Sequence, residues 1–224
     1  MAEIEVYALS GIDYTAGPQT GYVLVKDADA ILVDASADVK EVCEVLRHTH
    51  SVLRAILLTH CHFDHAANVE RLTRAFPDAP LYASPLTDAM LVSGDWTAGL
   101  VDYPPPTWRV DVPVEEGSYA IGAFSVRVIA TPGHTMDSVC YLVDDAYLAA
   151  GDTVMNDVVC GNSSLPTGDT AALYRSGQRL WQEVPDSVYI LGGHVFRLSD
   201  DWELYRPRST VARAKHRNMI NRLL

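Results

Sequence analysis

The chain has 224 residues, room for one large domain or two small ones, and its 48% apolar and 21% charged residues can bury a sizeable core. Its formal net charge of -12 excludes the basic footprint that a nucleic-acid backbone requires and argues against docking on an anionic membrane surface. No apolar run is long enough to span a bilayer, the N-terminal MAEIEVYALSG lacks the signature of a signal peptide, and Cys43, Cys61, Cys140 and Cys160 form no CxxC pair, which together read as a cytoplasmic chain with free thiols.

The first third alternates strands with helices. IEVYAL (4–9), GYVLVK (21–26) and AILVDA (30–35) are short apolar runs of strand type. A helix is expected over 37–47, with Ser36 as its N-cap. RAILLT (54–59) has the uninterrupted apolar character of a strand buried on both faces, and it runs directly into the polar segment HCHFDH. A helix over 64–74 and a strand PLYAS (80–84) follow.

Residues 92–108 break this pattern. Glycines, three consecutive prolines and the aromatic residues Trp96, Tyr103 and Trp108 mark an irregular excursion, expected to wall or cover a pocket. Beyond it, SYAIG, FSVRVIAT, SVCYLV and AYLAAGD are four strands of hairpin type. A helix over 170–182, a strand VYILGG (188–193) and a helix over STVARAKHRNMINRL complete the chain. No repeat or linker is visible, so residues 1–224 are expected to form one domain with a sheet-on-sheet core and helices outside.

The chemistry is concentrated in His60-Cys61-His62-Phe63-Asp64-His65. At a strand end residues i and i+2 share a side, so His60 and His62 converge while Cys61 points away. Asp64 and His65 follow at a helix start and can face the same spot. Three later segments repeat one design, a polar residue after a glycine at the end of an apolar strand: Gly133-His134, Gly151-Asp152 and Gly193-His194. Each alone is an ordinary turn. All four in order, at strand ends, point to a metal centre. Imidazole and carboxylate donors suit zinc, and also iron or manganese.

This constellation resembles the metallo-β-lactamase superfamily, whose motif is HxHxDH followed by separate His, Asp and His ligands. The resemblance covers most of the chain and implies an α/β fold, a four-layer αββα sandwich with the site at one edge. It implies that His60, His62 and His134 hold one divalent metal, that Asp64, His65 and His194 hold the other, and that Asp152 bridges them. It also places Asp34 near the site, where a carboxylate can orient a ligand histidine. The implied reaction is attack of a metal-bridging hydroxide on a carbonyl of a small-molecule substrate, with Asp64 and Asp152 as the catalytic carboxylates.

Within the superfamily, THCHFDH, TPGHT, AAGDTV and the C-terminal STVARAKHRNMINRLL are similar to the glyoxalase II and persulfide dioxygenase group. Asp152 stands where β-lactamase branches carry Cys or Ser, and Met155 where lactonases carry Tyr. The chain departs from the group where GRTD is replaced by Gly161-Asn162-Ser163-Ser164 and HDY by His194-Val195-Phe196, which removes the arginine and tyrosine of a glutathione pocket. The expected activity is therefore hydrolysis of an ester, thioester or lactone without a glutathione moiety. A persulfide dioxygenase with one iron on His60, His134 and Asp152, or a β-lactamase-like hydrolase, are the alternatives, and a homodimer is left open. His48, His50 and His216 lie in helix C-terminal or basic surroundings and are not counted as ligands. Cys160 lies in the loop after Asp152, where it can edge the pocket, but a buried free thiol is the simpler reading.

Overall fold

The computed structural model describes residues 3–14, 17–195 and 202–223. Strands β1 (Glu5–Tyr14), β2 (Gly17–Lys26) and β3 (Asp29–Val33) form an antiparallel meander, after which α1 (Val39–Thr49) crosses over to β4 (Val52–Leu57), parallel to β3. Two short helices, α2 (Phe63–Ala66) and α3 (Val69–Ala75), lead to β5 (Leu81–Ala83); α4 (Thr87–Ser93) and the excursion lead to β6 (Val112–Pro113). A second sheet is built from β7 (Gly117–Ile121), β8 (Phe124–Ala130), β9 (Val139–Val143), β10 (Tyr147–Gly151) and, after α5 (Thr170–Glu183), β11 (Tyr189–Gly192). Strand β12 (Glu203–Leu204) then returns to pair with β1, and α6 (Val211–Arg217) follows. Among the described residues the sheet orders are β12-β1-β2-β3-β4-β5-β6 and β11-β10-β9-β8-β7.

Strand alternation explains the four layers. Val6, Tyr22, Leu24, Ile31, Val33 and Leu57 face inward and meet Phe124, Val126, Val128, Tyr141 and Leu191 of the second sheet in one core. Their neighbours Tyr7, Val23, Leu32 and Ile56 face outward and are covered by Val42 and Val45 of α1 and by Leu72 of α3. On the far side Leu142, Leu148 and Ile190 lie under Leu173, Leu180 and Trp181 of α5 and Val211 of α6. Strands covered on both faces carry nearly continuous apolar runs, as read in 54–59. Two buried tyrosines tie the sheets together: Tyr141 donates its hydroxyl to Leu58 O at 3.0 Å and Tyr22 donates to Gly192 O at 2.7 Å.

Helix boundaries depart from the sequence reading where side chains compete for backbone groups. Asp38, not Ser36, caps α1, accepting from Lys40 N at 2.8 Å, while the Ser36 hydroxyl is engaged by Gln19 Oε1. The helix expected over 64–74 is broken, because Asn68 donates to Ser36 O and Ala37 O and so pins the α2–α3 junction to the loop before α1. The C-terminal helix stops at Arg217, because Asn218 donates to Asn156 O and Val159 O. Among the described residues no helix is long and apolar enough to cross a membrane. Cys43, Cys61, Cys140 and Cys160 are free thiols.

Candidate metal centre

Strands β3 and β4 are parallel, and β8, β10 and β11 run alike in the second sheet, so their C-terminal ends emerge along one edge of the sandwich. Asp34 follows β3, His60 follows β4, His134 follows β8, Asp152 follows β10 and His194 follows β11. The two sheets are joined at this edge by Val139 N donating to Thr59 O at 2.9 Å. All seven residues expected as ligands are brought together here, in three groups with the geometry to hold a metal: His60, His62 and His134; His60, His65 and Asp152; Asp64, His65 and His194.

Distances within the cluster fall in a narrow range. His62 Nδ1 and His134 Nε2 are 3.0 Å apart, and His65 Nε2 lies 3.4 Å from Asp152 Oδ1. Asp152 Oδ2 lies 3.5 Å from His134 Nε2 and 3.6 Å from His194 Nε2, and Asp64 Oδ2 lies 3.3 Å from His194 Nε2. Ligands of a tetrahedral zinc with bonds of about 2.0–2.1 Å stand about 3.3 Å from one another, and these separations are compatible with such a coordination shell.

Each imidazole is oriented by a contact on its outer nitrogen. Asp34 accepts the His65 Nδ1 proton at 2.8 Å, Asn162 O accepts the His134 Nδ1 proton at 2.9 Å, the Thr167 hydroxyl faces His62 Nε2 at 3.1 Å, and the Thr59 hydroxyl faces His60 Nδ1 at 3.1 Å. With those nitrogens carrying the protons, lone pairs on the others point inward. His60 Nε2, His65 Nε2 and Asp152 Oδ1 are buried there without a hydrogen-bond partner. An unpaired buried polar atom costs about 1–3 kcal/mol, so three in one spot fit a cation-binding site.

The electrostatics divide the cluster. Burial and the neighbouring imidazoles push His60 well below its usual value, and burial with His134 holds His62 down to about 3. Burial also lowers His134. His65 departs from them: burial opposes its charge, but Asp34 and Asp152 outweigh burial and raise it well above the usual value. Asp152 is buried, yet His65 and His194 hold its carboxyl well below the ordinary range. Burial works against the Asp64 carboxylate too, and the hydrogen bond from His194 keeps it ionised.

Cys61 lies on the other side of the loop, among Phe63, Met90, Leu91 and Trp96. His48 packs against Trp202 and Tyr7, and His216 lies in the last turn of α6, both away from the cluster. Beside the cluster opens a cavity of about 430 Å³, bounded by Phe63, Ala98, Leu100, Met155, Val159 and Leu165 among others, with Cys160 at its side. The excursion does wall this cavity, but through Ala98 and Leu100. Trp96 is tucked into the core beside Cys61, Trp108 packs against the same residues, and Tyr103 is 55% exposed. The contacts of Thr59, Asn162 and Thr167 were not read from the sequence: Thr59 opens THCHFDH and Asn162 lies in the segment that replaces GRTD, but only folding brings Asn162 and Thr167 against the histidines.

A sequence profile of the metallo-β-lactamase superfamily matches residues 14–194, and the chain belongs to that family. Membership and its relatives define the class of protein, a metal-dependent hydrolase with the metallo-β-lactamase fold. The chain is 32% identical over 170 residues to a Bacillus velezensis protein named "Probable polyketide biosynthesis zinc-dependent hydrolase BaeB", covering 75% of this chain and 68% of that one. It is 32% identical over 179 residues to the hydroxyacylglutathione hydrolase of Glaesserella parasuis, covering 80% of this chain and 66% of that enzyme. Among solved structures, a B3 metallo-β-lactamase, BLEG-1, superposes with a TM-score of 0.77 at 26% identity, covering 94% of this chain and 97% of that one. The protein TTHA1623, in a di-iron-bound form, superposes with a TM-score of 0.73 at 26% identity, covering 93% and 98%.

Proposed function

We propose that the chain is a dinuclear-metal hydrolase that cleaves an ester, thioester or lactone of a small molecule. The observation that carries this reading is the position of Asp152. Its Oδ1 faces His65, while its Oδ2 faces both His134 and His194, so one carboxylate touches both halves of the ligand cluster. His60, His62 and His134 would hold one ion, Asp64, His65 and His194 the other, and Asp152 would be shared. Zinc suits these donors, and manganese or iron can take the same set. Divalent ions bound there supply Lewis acidity and lower the pKa of water toward neutrality.

The protein's own part is positional. Asp34 fixes the tautomer of His65, and the Asn162 carbonyl fixes that of His134. Asp64, ionised at the cavity wall, can accept a hydrogen bond from the attacking water. The balance is simple: water adds to the acyl carbon, the bond to sulfur or oxygen breaks, and the leaving group takes a proton.

Glutathione recognition is not expected. Asn162 stands where the related group carries its arginine, and its side chain accepts from Ser164 N at 2.8 Å. Phe196, in place of the related tyrosine, lies outside the described residues. The test pairs metal analysis with a panel of thioesters, lactones and aryl esters. About two ions per chain and chelator-sensitive hydrolysis support the reading. One iron per chain with oxygen consumption on glutathione persulfide would replace it with a dioxygenase.

A further inference from the structure

The cavity beside the metal cluster is lined by the candidate ligands and Asn162 and otherwise by mostly apolar side chains. Its floor is His62, Asp64, His134, Asp152 and His194, and two apolar walls rise from it. One wall is the turn carrying Ala98 and Leu100. Ala98 and Gly99 both adopt left-handed backbone, with φ 52° and 70°, which turns Leu100 out of the excursion. The other is the loop carrying Met155, Val159 and Leu165. The walls come close, since a Cβ added to Gly99 would lie 4.0 Å from Pro166 Cγ.

Neither wall is a loose loop. Trp96 is buried against Cys61 and Phe63, so the first wall is anchored beside the ligand loop. The second is held from the C-terminal segment: Asn218, 1% exposed, donates to Asn156 O at 2.7 Å and Val159 O at 3.0 Å, and Met219 N donates to Val158 O at 2.7 Å. Leu100 is nonetheless 47% exposed and Val159 36% exposed. Such apolar side chains, fixed around a polar floor, are the usual lining of a preformed ligand pocket. Among the described residues, no lysine or arginine lines the cavity, and the side chains away from the cluster are mostly apolar.

We infer that this cavity selects an uncharged, apolar acyl chain, seated between the Leu100 turn and the Met155–Leu165 loop with its carbonyl over the metal cluster. The inference rests on the hydrolase reading and adds the substrate class. It distinguishes this chain from enzymes that recognise an anionic peptide thiol or a carboxylated β-lactam.

The metal-loaded enzyme is assayed on acetyl, butyryl, hexanoyl and octanoyl thioesters of one small neutral thiol, beside a hydroxyacylglutathione and a chromogenic cephalosporin. Each buried methylene should raise kcat/KM about fourfold until the cavity is filled. Leu165→Asp should flatten that dependence, and Met155→Trp should move the optimum to a shorter chain, both with unchanged metal content. Binding of the hexanoyl ketone analogue, in which a methylene replaces the thioester sulfur and the thiol's alkyl group is kept, is measured by calorimetry independently of turnover. Tight analogue binding without cleavage of any ester would overturn the hydrolase reading and leave the cavity assignment standing. A flat chain-length profile, or a preference for the glutathione or cephalosporin substrate, would overturn the cavity assignment and leave the hydrolase standing.

Discussion

Asp34 Oδ2 lies 2.8 Å from His65 Nδ1, with both side chains buried. Asp34 holds left-handed backbone at φ 58°, uncommon for a residue with a side chain, and also accepts from Thr59 N at 2.8 Å. That strained turn at the end of β3 joins two ligand segments, one through His65 and one through the residue before His60. Replacing Asp34 with Ala should lower metal affinity about 10–100-fold, the usual effect of removing a carboxylate behind a ligand histidine. Competition with a chromogenic chelator measures it. Unchanged affinity would reduce Asp34 to a turn residue.

Asp152 should be the least replaceable of the candidate ligands, because its two oxygens face different imidazoles. Asp152→Ala and His60→Ala are expected to abolish turnover, with metal content falling below that of the wild type. Chelation should inactivate the wild type, and a divalent metal should restore it. A purified Asp152→Ala protein with full activity would remove the basis for the proposed site.

Gly193 has a steric role. A Cβ there would run into Asp152 Oδ1 and His65 Cε1, and the backbone cannot retreat because Gly193 N donates to Gly151 O at 2.8 Å and Thr20 N donates to Gly193 O at 2.7 Å. Gly193→Ala should therefore displace two ligands at once, weakening metal binding roughly tenfold or more. Circular dichroism of the same preparation separates this from a failure to fold.

Asp137 links three segments near the site. It accepts from the hydroxyls of Thr87 and Thr135, each at 2.7 Å, and from the Cys61 thiol. Burial nevertheless raises its carboxyl above the usual 3.8. The folded chain therefore binds this proton more tightly than the unfolded chain. The contribution is fully present below pH 3.8 and is lost as pH rises through the raised value. Asp137→Asn removes the titration, so the stability advantage of the wild type over this variant should be larger at about pH 4 than at about pH 7. Denaturant midpoints at the two values measure the difference, and a gap that shrinks on acidification contradicts it.

The candidate ligand set was legible because most of its members are written locally. A buried strand reads as an apolar run, and a polar residue placed just past its end, after a turn glycine, stands out without knowledge of the neighbours. His134, Asp152 and His194 have that form, His60 and His62 follow the buried strand 54–59 directly, and their order along the chain carries the family resemblance that implies the layered fold. Tertiary structure decided what depends on segments distant in sequence. Asn68 and Asn218 end helices only because carbonyls of remote loops come within reach of their amides. The inward nitrogen of each histidine is set by the contact behind it, and for His134 that is the carbonyl of Asn162, brought close by folding. The excursion shows the same division. Its composition marked a pocket wall, but the three aromatic rings could be placed only once the apolar hollow around Cys61 and Phe63 existed to receive Trp96, leaving Leu100 to face the cavity. Hydrophobic periodicity reports whether a residue is buried; it carries no information on which distant surface buries it, and that surface shapes the substrate cavity.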